Sequence, residues 1–172
     1  MSKVIIDNVI VDDDWALVTD ADTDLASLKK IIVPLKVWAS KPAALNGKTI
    51  GVFLDSADDP GALAAEIKTL PLIAVNFPTF KDGRGYSTAY LLRTRYGYTG
   101  ELRAVGDIQR DQLFYLHRVG FNAFAVREGK GKDIEAALKS LNDFSNVYQA
   151  SVVQSSPLFR RREAALNAAS AA

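Results

Sequence analysis

The chain has 172 residues, 48% of them hydrophobic and 24% charged, with a formal net charge of +1. That size and balance fit one globular domain with a substantial core, exclude the disordered and fibrous classes, and supply no bulk attraction for nucleic acid or an anionic membrane surface. No cysteine and a single histidine exclude disulfides, cysteine-ligated clusters and the usual zinc or iron sites, so neither a metal nor an intrinsic cofactor is expected.

The N-terminal run lacks the layout of a secretion signal, and no apolar stretch reaches the roughly 18 residues of a membrane span. The expectation is a cytoplasmic protein with no membrane partner. Residues 1–20 predict an N-terminal β-hairpin, its arms at 4–11 and 15–18 and its turn in the acidic run 12–14.

Beyond the hairpin, apolar β-type runs alternate with helical stretches. A strand at 31–34 precedes a weak helix at 36–45, 49–56 precedes a helix at 60–70, and 72–77 one at 87–96. The strand 101–106 precedes a helix at 107–119, 123–126 one at 133–141, and 146–153 a C-terminal helix near 157–167. The tail from 155 to 172 is alanine-rich and ends this single domain.

Strand starts at 49, 72, 101, 122 and 146 suit βα units, which makes the fold α/β with a mostly parallel sheet. Two architectures fit: an open doubly wound sheet, or a partial (β/α) barrel, since a full eight-unit barrel normally needs about 200 residues or more. Even spacing favours the barrel-like form.

Local signals agree with the helix assignments. Asp58 or Asp59 precedes Pro60, Ser87 and Asp107 sit where N-caps belong, and Gly97 and Gly120 sit where helices end. In the helix after Asp107, 100° per residue puts Ile108, Tyr115, Leu116 and Val119 on one face around Gln112, with Arg110, Phe114 and His117 opposite. An exposed Phe114 and uncovered helix faces argue for a homo-oligomer.

In either architecture ligands bind at the carboxyl ends of the strands, where the βα loops emerge and helix N-termini point. Those loops are 55–59, 78–87, 106–107 and 127–132. The 78–87 loop offers Lys81 and Arg84 as cations, Gly83 and Gly85 for close backbone approach and Ser87 as a cap, a set suited to a small anion. The same glycines equally serve a sharp strand-to-helix turn.

Arg103, a charge inside a β-run, either binds that anion or pairs with Asp55, Asp82 or Asp107. Asp107 and Asp82 are the candidate catalytic acid or base, and Tyr86, Gly106, Asp111 and Gln112 stand in support. His117, near a helix C-terminus, has a plain structural reading as a cation at the negative end of the dipole.

The segment NFPTFKDGRGYSTAYLLRTRYGYTGELRAVGDIQRDQLFYLHRVGFNAFAV, residues 76–126, closely resembles the bacterial family called domain of unknown function 934. That family's core pattern contains F-x-DGRGYS, GELRA-x-GD, DQL and GF-x-AF, with a looser fit through VPLKVW and FLDSADDP. Its motifs fall on Asp82, Gly83, Arg84, Gly85, Tyr86, Ser87, Arg103, Gly106, Asp107, Asp111 and Gln112.

Members are described as probable oxidoreductases encoded beside the sulfite or nitrite reductase haemoprotein. The resemblance therefore implies an accessory role in assimilatory sulfite reduction, with that haemoprotein as partner. The residues themselves leave three classes open: an accessory protein that binds a small anion, a small enzyme on a barrel-like scaffold, and a non-catalytic oligomeric scaffold.

Overall fold

The computed structural model describes residues 2–18, 27–41, 43–126 and 133–170. Its strands are β1 (Lys3–Ile6), β2 (Val9–Asp12), β3 (Ala16–Leu17), β4 (Lys30–Pro34), β5 (Thr49–Leu54), β6 (Leu72–Phe77), β7 (Glu101–Gly106) and β8 (Ala123–Phe124). The α-helices are α1 (Leu35–Ser40), α2 (Arg84–Thr94), α3 (Arg110–Arg118), α4 (Ile134–Ser140) and α5 (Leu158–Ser170).

The strands form one sheet in the order β2-β1-β8-β7-β6-β5-β4-β3. Pairing is parallel from β3 through β8 and antiparallel only where β1 meets β2 and β8. The order forces curvature. β2 and β3 lie at opposite ends of the sheet, yet only residues 13–15 separate them in the chain.

A link of that length spans at most about 14 Å, whereas eight flat strands would set the two edges about 34 Å apart. The sheet therefore curls into a half-barrel, and of the two architectures that fit the sequence the barrel-like one is realised.

The two faces of this sheet are buried differently. Val52, Leu54, Ile73, Val75, Phe77, Leu102 and Ala104 meet Ala89 and Leu92 of α2, Leu113 and Leu116 of α3 and Ala137 of α4 in the main core. On the opposite, inner face, Ile32, Leu72 and Ala74 cluster with Trp15, Phe53 and Val105, all from strands or from the link before β3.

Arg103 also lies on the inner face. Its neighbours in register are Ala74 on β6 and Ala123 on β8, two small residues that leave room for its long side chain. Only 2% of that side chain is exposed, and its Nη1 donates to both carboxylate oxygens of Asp13, at 2.9 and 3.0 Å, while Nε donates to Glu101 at 2.7 Å. The carboxylates expected to pair with Arg103 (Asp55, Asp82, Asp107) are replaced by these two, because Arg103 points into the barrel below the strand ends.

Several expected elements move. The hairpin turns at Asp7 and Asn8, both at positive φ, rather than at the acidic run. Asp and Asn tolerate that conformation, and a two-residue turn of this kind matches the twist of paired strands. The second predicted arm joins the far edge as β3.

The helix expected at 60–70 is two 3₁₀ turns, Pro60–Leu63 and Ile67–Thr69, with Glu66 at φ −118° between them. Residues 146–153 form bends and turns instead of a strand, because the edge of β8 they would have joined is taken by β1, paired at Ile5↔Phe124. They lie over α3 instead, with the Val152 N–H bonded to the Arg118 carbonyl.

The buried stripe of α3 is Leu113 and Leu116, whereas Tyr115 is exposed. Phe114 is half-buried against Phe144, ring centroids 4.9 Å apart. Arg93 of α2 ties the layers together, donating to the carbonyls of Gly120, Tyr98 and Gly100 and to Asn122.

The ion cluster makes the first prediction. Asp13→Ala leaves Arg103 buried with half its compensation and lowers unfolding stability by about 3 kcal/mol, read from the urea midpoint. Asp13→Ala combined with Arg103→Met is less destabilised than Asp13→Ala alone. A double variant no more stable than the single one would show that pairing is not what holds Arg103 in place.

Candidate functional site

The carboxyl ends of β5, β6 and β7 bring together residues from the loops that the sequence selects. β5 runs into Asp55, whose side chain accepts from the Ser56 N–H at 2.8 Å and from Asn76 Nδ2 of β6 at 2.9 Å. The Asn76 bond, then the Ser56 N–H, with the Arg84 charge, hold the Asp55 carboxyl below its ordinary value against the opposing effects of burial and Asp82.

Asp58 in turn accepts from the Asp55 N–H at 2.8 Å. The acidic turn after β5 is thus a closed set of local hydrogen bonds.

After β6, the 78–83 loop turns back and α2 begins at Arg84, three residues earlier than the sequence predicts. The position before α2 is Gly83, and the carboxylate that serves its first turn is Asp82, which accepts from the Arg84 N–H at 3.1 Å. Ser87 consequently lies inside the helix, exposed, and is not its cap.

Asp82 also accepts from the Arg84 guanidinium, Nε at 3.0 Å and Nη2 at 2.6 Å, and the same Nη2 donates to Ser56 at 2.8 Å. Arg84 therefore bridges the loops after β5 and β6 while its side chain stays 60% exposed. Its hydrogen bonds, above all, push the Asp82 carboxyl down to about 2.

The two glycines of this loop have different jobs. A Cβ on Gly85 would stand 2.5 Å from Phe77 Cζ, so Gly85 lets α2 press on β6. A Cβ on Gly83 meets nothing within 4 Å, and its φ of −89° suits any residue.

Gly106 ends β7 at φ +97°, where a Cβ would lie 2.3 Å from the Phe77 carbonyl oxygen. That turn aims the Asp107 N–H at the Phe77 carbonyl, 2.7 Å, and the Asp107 carboxylate at the Phe80 N–H, 3.2 Å. Asp107 fastens the β7 end to the 78–83 loop and does not cap α3. The cap is Gln109, in a reciprocal pair with Gln112, and Gln112 Nε2 also donates to the Phe80 carbonyl at 3.3 Å.

Tyr86 leans edge-on against Phe77, centroids 5.6 Å apart. Burial, followed by the negative charge of Asp111, raises its hydroxyl above the ordinary value, partly offset by a hydrogen bond with Gln112. Lys81 is exposed, and the 127–132 loop lies outside the described residues.

The predicted set thus divides. Asp82, Arg84, Asp107 and Gln112 share one rim with Lys81, and Arg103 lies apart inside the barrel. Among the described residues no group of three or more His, Cys, Asp or Glu side chains is placed to hold a metal.

Sequence reasoning passed over Asn76, Ser56, Glu101 and Asp13. Asn76 interrupts the apolar run LIAVNF, and Glu101 stands two residues before Arg103 on the same strand face. Both signals are readable. Asp13 carries none, because only closure of the sheet brings it to Arg103.

Two outcomes test this geometry. Gly83→Ala is neutral or stabilising by about 0.5 kcal/mol, whereas Gly85→Ala costs about 1–3 kcal/mol; equal thermal shifts for both would refute the packing argument. Because the folded value of Asp82 lies below the ordinary one, the pairing adds stability above pH 3.8 that drains away as pH falls toward 2. A carboxyl NMR titration of Arg84→Gln shows the Asp82 midpoint moving back up toward 3.8.

Among the described residues no helix is long and apolar enough to cross a membrane. No curated protein and no solved structure matches the chain. A family model described as bacterial protein of unknown function (DUF934) matches residues 51–159, a stretch that contains the rim loops, Arg103 and the whole of α3. The chain belongs to the DUF934 family.

Proposed function

We propose that this chain is an accessory protein of assimilatory sulfite reduction that works by docking onto the sulfite or nitrite reductase haemoprotein, with the rim at the carboxyl ends of β5–β7 as its contact face. The metabolic setting comes from the resemblance carried by residues 76–126. The observation that favours docking over turnover is the mutual pairing at the rim: Arg84 is bound to Asp82 and Ser56, Asp55 to Asn76, and Asp107 to the Phe80 N–H.

Groups committed to one another in this way form a fixed charge pattern suited to recognition. A carboxyl held near 2, as in Asp82, is also a poor proton acceptor at neutral pH, which counts against it as a general base.

The rim carries Asp55, Asp58, Asp82 and Asp107 against Lys81 and Arg84, so it suits a basic surface on the partner. Tagged chain should co-purify with the haemoprotein at physiological salt, and the complex should weaken as salt rises. Failure to recover the haemoprotein at low and physiological salt alike would end the docking reading.

The exposure of Arg84 favours one other reading, a small oxyanion such as sulfate or sulfite held by Arg84 and Lys81 at the start of α2. There Asp82 competes with the ligand. Asp82→Asn should then tighten sulfate binding by about tenfold in a calorimetric titration; no binding by either form discards the anion.

The same docking role accommodates a homo-oligomer. None of the described residues of α5 is buried, and Phe159 and Leu166 are exposed on it, a surface that a second copy would cover.

A further inference from the structure

The rim loops carry one large apolar side chain that reaches solvent. Among the described residues of the turns after β5, β6 and β7, Ile108 is buried and Phe80 is 43% exposed. The Phe80 ring belongs to none of the buried clusters, so the core does not account for it.

The backbone that carries this ring is nevertheless held from two sides. The Phe80 N–H donates to the Asp107 carboxylate at 3.2 Å, and its carbonyl accepts from Gln112 Nε2 at 3.3 Å. Asp107 is itself fixed by its N–H on the Phe77 carbonyl, and Gln112 by its reciprocal pair with Gln109. The Asp82 N–H, bonded to the Thr79 carbonyl at 3.0 Å, closes the turn that contains Phe80. The end of β7 and the start of α3 thus clamp the peptide and leave the ring exposed.

Single surface aromatics are common, and two features set this one apart. Its backbone is fixed before any partner arrives, so little ordering entropy is left to lose on association. It is also flanked by charge, with Lys81 and Asp82 following it and Asp107 on its N–H. An exposed aromatic among polar groups is the anatomy of an interface core and its edge.

We infer that Phe80 is the apolar anchor of the docking face and seats in an apolar socket bordered by basic side chains on the partner. Charge selects that border: on the rim the four carboxylates of Asp55, Asp58, Asp82 and Asp107 outnumber Lys81 and Arg84, and an acidic surround would repel them. This rests on the docking reading and gives that face the residue that carries most of its affinity.

The test passes the full chain over immobilised haemoprotein at several salt concentrations and reads association and dissociation rates. Phe80→Ala speeds dissociation about thirtyfold and leaves the slope of affinity against salt unchanged. Both clamping bonds use the Phe80 backbone and survive the change, which the thermal midpoint of the variant checks. Asp58→Asn keeps its acceptor oxygen, slows association and flattens the salt dependence. Phe159→Ala, at an exposed aromatic on α5, leaves both rates as they were.

The possible failures are distinct. If the parent chain does not bind at low or physiological salt, the docking reading ends and the anchor with it. If the parent binds and Phe80→Ala dissociates within about twofold of it, the anchor alone is overturned and docking rests on charge. A loss in Phe159→Ala with none in Phe80→Ala would move the contact to α5 and overturn the assignment to the rim.

Discussion

The curl that the short 13–15 link imposes on the sheet sets one buried charge at its centre. Arg103 occupies the inner face between two alanines, and its two acidic partners reach it by different routes, Glu101 from its own strand and Asp13 from the link that carries the chain from one sheet edge to the other. An unpaired guanidinium there would cost far more than the packing around it returns.

The alternatives to closure are therefore poor. If the 13–15 link swings away, Arg103 loses two of its hydrogen bonds and the Trp15 side of the inner cluster opens. Two carboxylates around one cation leave an excess of negative charge. Burial raises the Glu101 carboxyl above its ordinary value, Asp13 pushes it the same way, and Arg103 opposes both. The net stability such a cluster adds is smaller than its attractions suggest, because all three ions are taken largely out of water.

The same economy of charge governs the rim, with the opposite degree of exposure. Arg84 and Asp82 are two residues apart and satisfy each other in water, so their pairing adds little to stability but fixes where both charges stand. Asp82 also receives the first N–H of α2, doing for the helix what a bound anion would do. A loop whose glycines and cations suggest a phosphate cradle is in this way supplied with its own carboxylate.

Much of the fold was legible because it is written in local patterns. Strands β5, β6 and β7 follow from apolar runs bounded by turn residues, and the parallel sheet follows from their spacing. What was not legible depends on contacts distant in the chain. The partner of Arg103 lies 90 residues away, the supposed last strand is excluded because β1 reaches β8 first, and Asp107 faces Phe80 only because Gly106 takes a left-handed turn. At the site, the motif residues were found but their roles were exchanged. Ser87 and Asp107 looked like caps from position alone, whereas Asp82 and Gln109 fill those places because the helices start at Arg84 and Arg110.

The DGRGYS motif is dense because one helical turn has to serve three environments. Successive residues of a helix are rotated by about 100°, so four of them point around nearly the whole axis. Arg84 reaches over the rim to Ser56, Gly85 presses its bare backbone on Phe77, Tyr86 stands against the same Phe77 ring and lines the outer groove between α2 and α3, and Ser87 faces solvent. A substitution at any of the first three disturbs a different contact. The motif's compactness therefore reflects a junction between the rim, the main core and the helical layer.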